Sequence, residues 1–154
     1  EVVAGTYKLV GGHSFPKPGY GELAMQPTHM GQDLLNPPSV EGWHTGQEWI
    51  NSGSLMSRVN FVADLIGDTS LPGVKSIIKR LRAQGELSPE RLVDGCLDLL
   101  GPLEVESNTR ENLIAQAEES GVLQWDSEDG EGSSSQRVAQ MLQLIVATRE
   151  YQFG

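Results

Sequence analysis

Apolar residues recur three or four positions apart along most of this chain, which is the spacing of one face of an α-helix. In the clearest case the apolar positions fall at i, i+3, i+4 and i+7, with lysines and arginines between them: Val74, Ile77, Ile78 and Leu81. No segment alternates apolar and polar residues as a half-buried strand does. The pattern predicts an all-α fold, an irregular multi-helix bundle with long ordered loops.

Proline, glycine and serine mark the ends of the predicted helices. Ser54 is expected to cap a helix that runs to Ile66, and Ser88-Pro89-Glu90 is expected to open another that stops at Gly101. The predicted helices cover residues 2–10, about 21–35, 54–66, 72–82, 89–100, a segment capped by Thr109 or Ser107 and ending near Gly121, and 134–151. The last is apolar around much of its circumference, so we expect it at the centre of the bundle.

The segment from Gly31 to Asn51 is too rich in proline and glycine to be one helix or strand. It contains two of the three tryptophans, and ordering such a loop requires specific anchoring by side chains. One interpretation is a binding site for a sugar or peptide, with an aromatic platform and polar contacts around it. Its residues would be Trp43, Trp49, Glu41, His44, Glu48 and Asn51.

A structural clamp is the interpretation that we favour for the same loop, because large aromatic residues more often fill a core than contact a ligand. Trp43 would plug the helical core, adjacent prolines would stiffen the approach, and glycines would supply the turn conformations. The stiffening and turning residues are Pro37, Pro38, Gly42 and Gly46. Arg58 would pin the loop by pairing with Asp33 or Glu41, although a solvent-exposed arginine is equally compatible with the pattern.

Composition restricts the function classes. A net charge of −10, with no long stripe of basic residues, argues against general binding of nucleic acid. The single cysteine, Cys96, excludes an internal disulfide and lies on an apolar helix face, so we expect a buried thiol. No apolar run reaches the length of a membrane span.

The length of 154 residues favours a single helical domain over residues 1–154. Because the chain opens at Glu1 directly into helical periodicity, we expect a fragment of a longer protein with its first helix cut. Residues 125–134 combine acidic residues with serine and glycine, which predicts a flexible acidic loop rather than a calcium site.

No catalytic signature is complete. Glu41, His44 and Glu48 would share a face only on a continuous helix, which the intervening glycines oppose, so we predict neither a metal nor a cofactor. Ser76 and Lys79 match a Ser-x-x-Lys pattern, but its companion motifs are missing and the match is interpreted as chance.

Residues 30–46, with Pro-Pro-x-Val-x-Gly-Trp, and the following segments 49–51 and 55–61 resemble the C-terminal part of a bacterial family, the domain of unknown function numbered 1800. Residues 147–153 resemble its terminal helix. The resemblance implies a longer, mostly helical protein without an agreed activity. It also implies a partner from a second family related to sulfatases and, with the compartment left open, either the bacterial cytoplasm or export to the envelope.

Two functions remain after this survey. The first is a structural or protein-interaction module of a larger protein, which the lack of a catalytic constellation favours. The second is the substrate-binding part of an enzyme whose catalytic groups lie in the missing N-terminal region.

Overall fold

Eight α-helices make up the part of the chain that the computed structural model describes, namely residues 2–11, 20–33, 35–42, 52–101, 103–125 and 132–153. In chain order they are α1 (Val2–Leu9), α2 (Tyr20–His29), α3 (Ser52–Gly67), α4 (Pro72–Arg82), α5 (Pro89–Leu100), α6 (Ser107–Glu119), α7 (Ser133–Val146) and α8 (Arg149–Phe153). These residues form no strand, only the isolated bridges Ser39 with Gly42 and Leu87 with Leu123. The predicted all-α fold is confirmed.

Helix α7 forms the centre of the core. Val138, Leu142 and Ile145, spaced by four and three positions, are fully buried on it. Helix α3 packs along α7, and the amide of Gln143 donates a hydrogen bond to the carbonyl of Ala63 at 2.9 Å. Helices α4, α5 and α6 also contact α7. The predicted central position of this helix is therefore confirmed.

The prediction of one helix from Ser134 to Tyr151 is wrong beyond Val146, where the chain breaks before α8. Thr148 provides the reason. Its hydroxyl donates to the carbonyl of Ile145 at 2.7 Å and accepts from the backbone N–H of Tyr151 at 3.4 Å. A side chain that bonds the local backbone in this way competes with the helical ladder.

Two other boundaries differ from the prediction. Helix α2 ends at His29 rather than Leu35, because Gly31 has a φ of +88° and its N–H bonds the carbonyl of Thr28, while the N–H of Gln32 bonds that of Pro27 at 2.7 Å. This pair of bonds is the Schellman ending, for which glycine is the favoured residue. Helix α3 begins at Ser52, so Ser54 lies buried inside it and is not its cap.

The predicted starts of α4 and α5 are confirmed at Pro72 and Pro89. Both prolines occupy the first turn, where a missing N–H costs no hydrogen bond. Ser88 caps α5 by accepting from the backbone N–H of Arg91 at 3.3 Å.

A carboxylate that is distant in the sequence accepts hydrogen bonds from residues at the start of α6. Glu150 of α8 accepts from the Thr109 hydroxyl at 2.6 Å and from the backbone N–H of Glu106 at 3.2 Å. The hydrogen bond from Thr109 holds the pKa of Glu150 below its usual range. The prediction that Thr109 or Ser107 caps α6 is therefore wrong, because the cap position is Glu106. The Thr109 hydroxyl instead donates to Glu150, so a carboxylate from another helix lies at the N-terminus of α6.

The contact of α1 with the start of α4 depends on a glycine. The N–H of Gly73 donates to the carbonyl of Val10 at 3.0 Å. A Cβ at Gly73 would collide with the Leu9 carbonyl oxygen and would lie 2.6 Å from the Cα of Val10. Only a residue without a side chain permits this approach.

Cys96 lies fully buried in the core, as predicted. Burial raises the pKa of its thiol to about 12, because the thiolate would lose its hydration.

Candidate functional site

Only part of the predicted Trp-rich loop falls within the described residues. Trp43, His44, Gly46, Glu48, Trp49 and Asn51 lie outside them, and so do residues 126–131 of the predicted acidic loop. The aromatic platform and the plug formed by Trp43 stay predictions. Trp125, at the start of the predicted acidic loop, donates a hydrogen bond from Nε1 to the Gly85 carbonyl at 2.9 Å. Ser133 and Ser134, at the other end of that range, belong to α7.

The first part of the Trp-rich loop is held by short-range bonds. The Asp33 carboxylate accepts from the Thr28 hydroxyl at 3.0 Å and from the Asn36 amide at 3.1 Å. Pro37, Pro38 and Glu41 are exposed. Gly42 has a φ of +95°, a conformation that favours glycine.

Arg58 is buried, with 7% of its surface exposed, so the solvent-exposed alternative is wrong. Its Nη2 donates to the backbone carbonyl of Gln152 at 2.6 Å, and its Nε donates to the Gln152 side-chain oxygen at 3.4 Å. Burial lowers the pKa of the guanidinium. These bonds join α3 to α8, whereas the bonds shown for Asp33 go to Thr28 and Asn36.

Helix α4 carries a basic face, which we define as Lys75, Lys79 and Arg80. All three side chains are exposed, and the opposite side of the helix is buried in the core. Arg82 lies further along α4, with its guanidinium carbon 5.1 Å from the centre of the Trp125 ring. Residues 69–85 hold four of the chain's eleven Lys and Arg residues and no Asp or Glu, so this helix is cationic in an otherwise acidic chain.

A cavity of about 490 Å³, open to solvent over much of its surface, lies between α1, α5 and α8. We call it the α1 cavity, and its lining residues are Val2, Gly5, Thr6, Lys8, Leu9, Leu100 and Tyr151. Its volume is in the range of small-molecule sites and its walls are mainly apolar, but it encloses a ligand less completely than such sites do.

Thr6 is the buried polar residue of the α1 cavity. It is 2% exposed, and its hydroxyl oxygen has no hydrogen-bond partner. The sequence analysis missed this site, because residues from three helices far apart in the chain build it. A threonine among the apolar residues of a helix was the one available signal.

The described residues offer little for metal or acyl-transfer chemistry. No group of three or more His, Cys, Asp and Glu side chains among them is placed to hold a metal ion. Ser76 and Lys79 both face solvent on α4, so no enclosed pocket surrounds this pair. Across the described part of the chain, every helix is too short or too polar to traverse a bilayer.

Comparison with known protein families gives a match over almost the whole chain. The family model described as "Protein of unknown function (DUF1800)" matches residues 1–153. Searches of curated proteins and of solved structures found no match.

Proposed function

The chain belongs to DUF1800, a family of proteins of unknown function, and we propose that it acts as a protein-interaction module of a larger protein. The observation that carries this proposal is the basic face of α4. The motifs of this chain resemble the C-terminal part of the family, which supports placing the module near the C-terminus of the longer protein.

The geometry of α4 suits recognition of an acidic protein surface. Lys75 and Lys79 are one turn apart and share a row, and Arg80 flanks them on the exposed side. Guanidinium and ammonium groups at the rim of an interface steer a partner of opposite charge and fix its orientation. The partner is therefore expected to present clustered carboxylates.

A membrane or a nucleic acid fits this helix less well than a protein. The apolar residues of α4, including Val74 and Ile78, are buried in the core and cannot enter a bilayer. The net charge of −10 opposes approach to a phosphate backbone or an anionic lipid surface. A folded partner protein needs only a local acidic patch to dock on α4.

Site-specific photo-crosslinking tests the proposal. A photoreactive residue at Ser76, exposed between Lys75 and Lys79, is expected to capture a defined protein from lysate of the source organism. The same residue at the exposed Ala115 of α6 is the positional control. A member of the sulfatase-related family suggested by the resemblance is the first purified partner to test.

Charge variants then distinguish a specific surface from general stickiness. K75Q/K79Q is expected to weaken binding of the captured partner by about 5-fold, with a reduced dependence on salt. R91Q/R149Q removes the same charge from other exposed positions and is expected to bind like the parent. Equal binding by the two variants, or equal crosslinking from positions 76 and 115, contradicts the proposal.

The second candidate function is the substrate-binding part of an enzyme, and the α1 cavity is the observation that favours it. Turnover by the full-length protein that a filled cavity abolishes would support this function. Loss of turnover in K75Q/K79Q with an intact cavity would favour the interaction module.

A further inference from the structure

We propose that residues 35–41 dock into a groove of another protein that is lined by aromatic side chains. The segment reads Leu-Asn-Pro-Pro-Ser-Val-Glu, and all seven of its residues are exposed. We call it the proline segment. It lies between α2 and α3 in the chain, so this surface is built from other residues than the basic face of α4.

Two apolar side chains of the proline segment project into solvent. The exposed fractions of Leu35 and Val40 are 101% and 107%, so the described part of the chain covers neither of them. The other exposed large apolar side chains among the described residues are only 41% to 64% exposed. Transfer of Leu35 and Val40 into an apolar groove would remove their surface from water, which favours binding. These two residues are therefore the anchors of the segment.

The two prolines between the anchors select the kind of groove. Each proline ring holds φ at about −65°, and a residue that precedes proline is restricted to extended backbone. Asn36 and Pro37 both precede a proline, so the chain here has the polyproline II conformation. Grooves that recognise this conformation are lined by aromatic side chains. The exposed rings of Pro37 and Pro38 therefore favour an aromatic groove.

Hydrogen bonds hold a turn at each end of the proline segment. The backbone N–H of Asn36 donates to the carbonyl of Asp33 at 3.0 Å, and the Asn36 amide donates to the Asp33 carboxylate at 3.1 Å. The N–H of Gly42 donates to the carbonyl of Ser39 at 3.1 Å. A backbone that is held before binding loses less conformational entropy when the partner docks.

The backbone at Leu35 is strained. Its φ of +67° lies in the left-handed region, which leucine rarely adopts and asparagine adopts more readily. Packing within the described part of the chain does not account for a leucine here, because its side chain is fully exposed. Burial of this side chain against a partner does account for it.

Selection of peptides on the purified chain tests the proposal. A phage-displayed library of random cyclic peptides is selected for binding to the parent chain and counter-selected against L35S/V40S. The surviving peptides are expected to be enriched in Trp, Tyr and Phe. Survivors without this enrichment, or no peptide that distinguishes the parent from L35S/V40S, would overturn the proposal.

Single-site variants make the test residue-specific, with the affinity of the best selected peptide measured by fluorescence anisotropy. V40S is expected to weaken binding about 5-fold, because an apolar anchor is lost. P37A/P38A is expected to weaken it several-fold, because the rings are removed and the backbone is freed. V122S/L144S changes two exposed apolar residues elsewhere and is expected to bind like the parent. Parental affinity of P37A/P38A would refute recognition of the prolines.

L35N separates a binding role of Leu35 from a structural one. Because asparagine tolerates the positive φ and the leucine side chain is fully exposed, L35N is expected to keep or raise the melting temperature. The same variant is expected to bind the selected peptide about 5-fold more weakly. A lower melting temperature, or unchanged affinity of both L35N and V40S, would refute the anchors.

The proline segment and the basic face of α4 can fail separately. K75Q/K79Q is expected to bind the selected peptide like the parent. High salt is expected to change that affinity by less than about 2-fold, because Glu41 is the one charged residue of the segment. Loss of peptide binding in K75Q/K79Q would assign the peptide to the basic face and would overturn the inference for the proline segment.

Discussion

Replacing Arg58 with alanine tests a buried polar contact between α3 and α8. Arg58 donates through Nη2 to the backbone carbonyl of Gln152 at 2.6 Å and through Nε to its side-chain oxygen at 3.4 Å. The amide of Gln152 in turn donates to the Val146 carbonyl at 2.7 Å. R58A removes both guanidinium donors, so the backbone and side-chain oxygens of the buried Gln152 lose these hydrogen bonds.

The magnitude follows from opposing contributions. A hydrogen bond from a charged donor contributes about 1.5–3 kcal/mol, and a buried acceptor left without a donor costs roughly 1–3 kcal/mol. The variant also avoids burying a charge, and the lowered pKa of Arg58 shows that this burial has a cost. We expect a net loss of about 3 kcal/mol, which corresponds to a melting temperature lower by roughly 6–12 °C for a domain of this size.

Thermal and urea unfolding followed by circular dichroism measure this effect. R91A removes an exposed arginine and is expected to stay within about 0.5 kcal/mol of the parent. Q152A keeps the backbone carbonyl that accepts the shorter bond, so the coupling energy between R58A and Q152A is expected to be below about 1 kcal/mol. A melting temperature of R58A equal to that of R91A would refute the assignment of Arg58 as a buried link.

The remaining predictions concern backbone space, pH and thiol reactivity. G73A is expected to destabilise the fold by about 2–3 kcal/mol, because its Cβ would collide with the backbone of Leu9 and Val10. G5A is expected to stabilise α1 by about 0.5–1 kcal/mol, because its Cβ would lie in open space. Urea unfolding measures both changes. E150A is expected to cost about 0.5–1 kcal/mol at pH 7, allowing for solvent exposure, with E111A as control. Since folding lowers the pKa of Glu150, that cost is expected to be complete above about pH 4.3 and to vanish as the pH falls through the folded-state pKa. Cys96 is expected to resist alkylation at pH 8 in native buffer and to react in urea; rapid labelling of the native chain would contradict its burial.

Local signals in the sequence predicted the helices well where packing agreed with them. The prolines at 72 and 89 fixed the starts of α4 and α5, because their effect on the backbone acts within one turn. The apolar stripes likewise placed Cys96 and the α7 face in the core. These inferences need only the residues of one helix.

Contacts between residues far apart in the sequence could not be predicted from such local signals. Arg58 and Gln152 are 94 positions apart, and Glu150 lies more than 40 positions from the helix start that it caps. Nothing in the local pattern specifies which of many polar residues becomes the partner. The early end of α2 is different, because Gly31 was a visible signal for a Schellman ending.

The position of α8 connects these non-local contacts with the α1 cavity. A helix of five residues is too short to be stable alone, so its place must come from tertiary bonds. Gln152 fixes it to α3 and Glu150 fixes it to α6, and between them Tyr151 lines the α1 cavity. The side chains that the resemblance assigned to a terminal helix thus hold one wall of the cavity in place. It follows that loosening either polar link should displace Tyr151 from the wall of the α1 cavity as well as lower stability, because the same five residues carry the links and the wall.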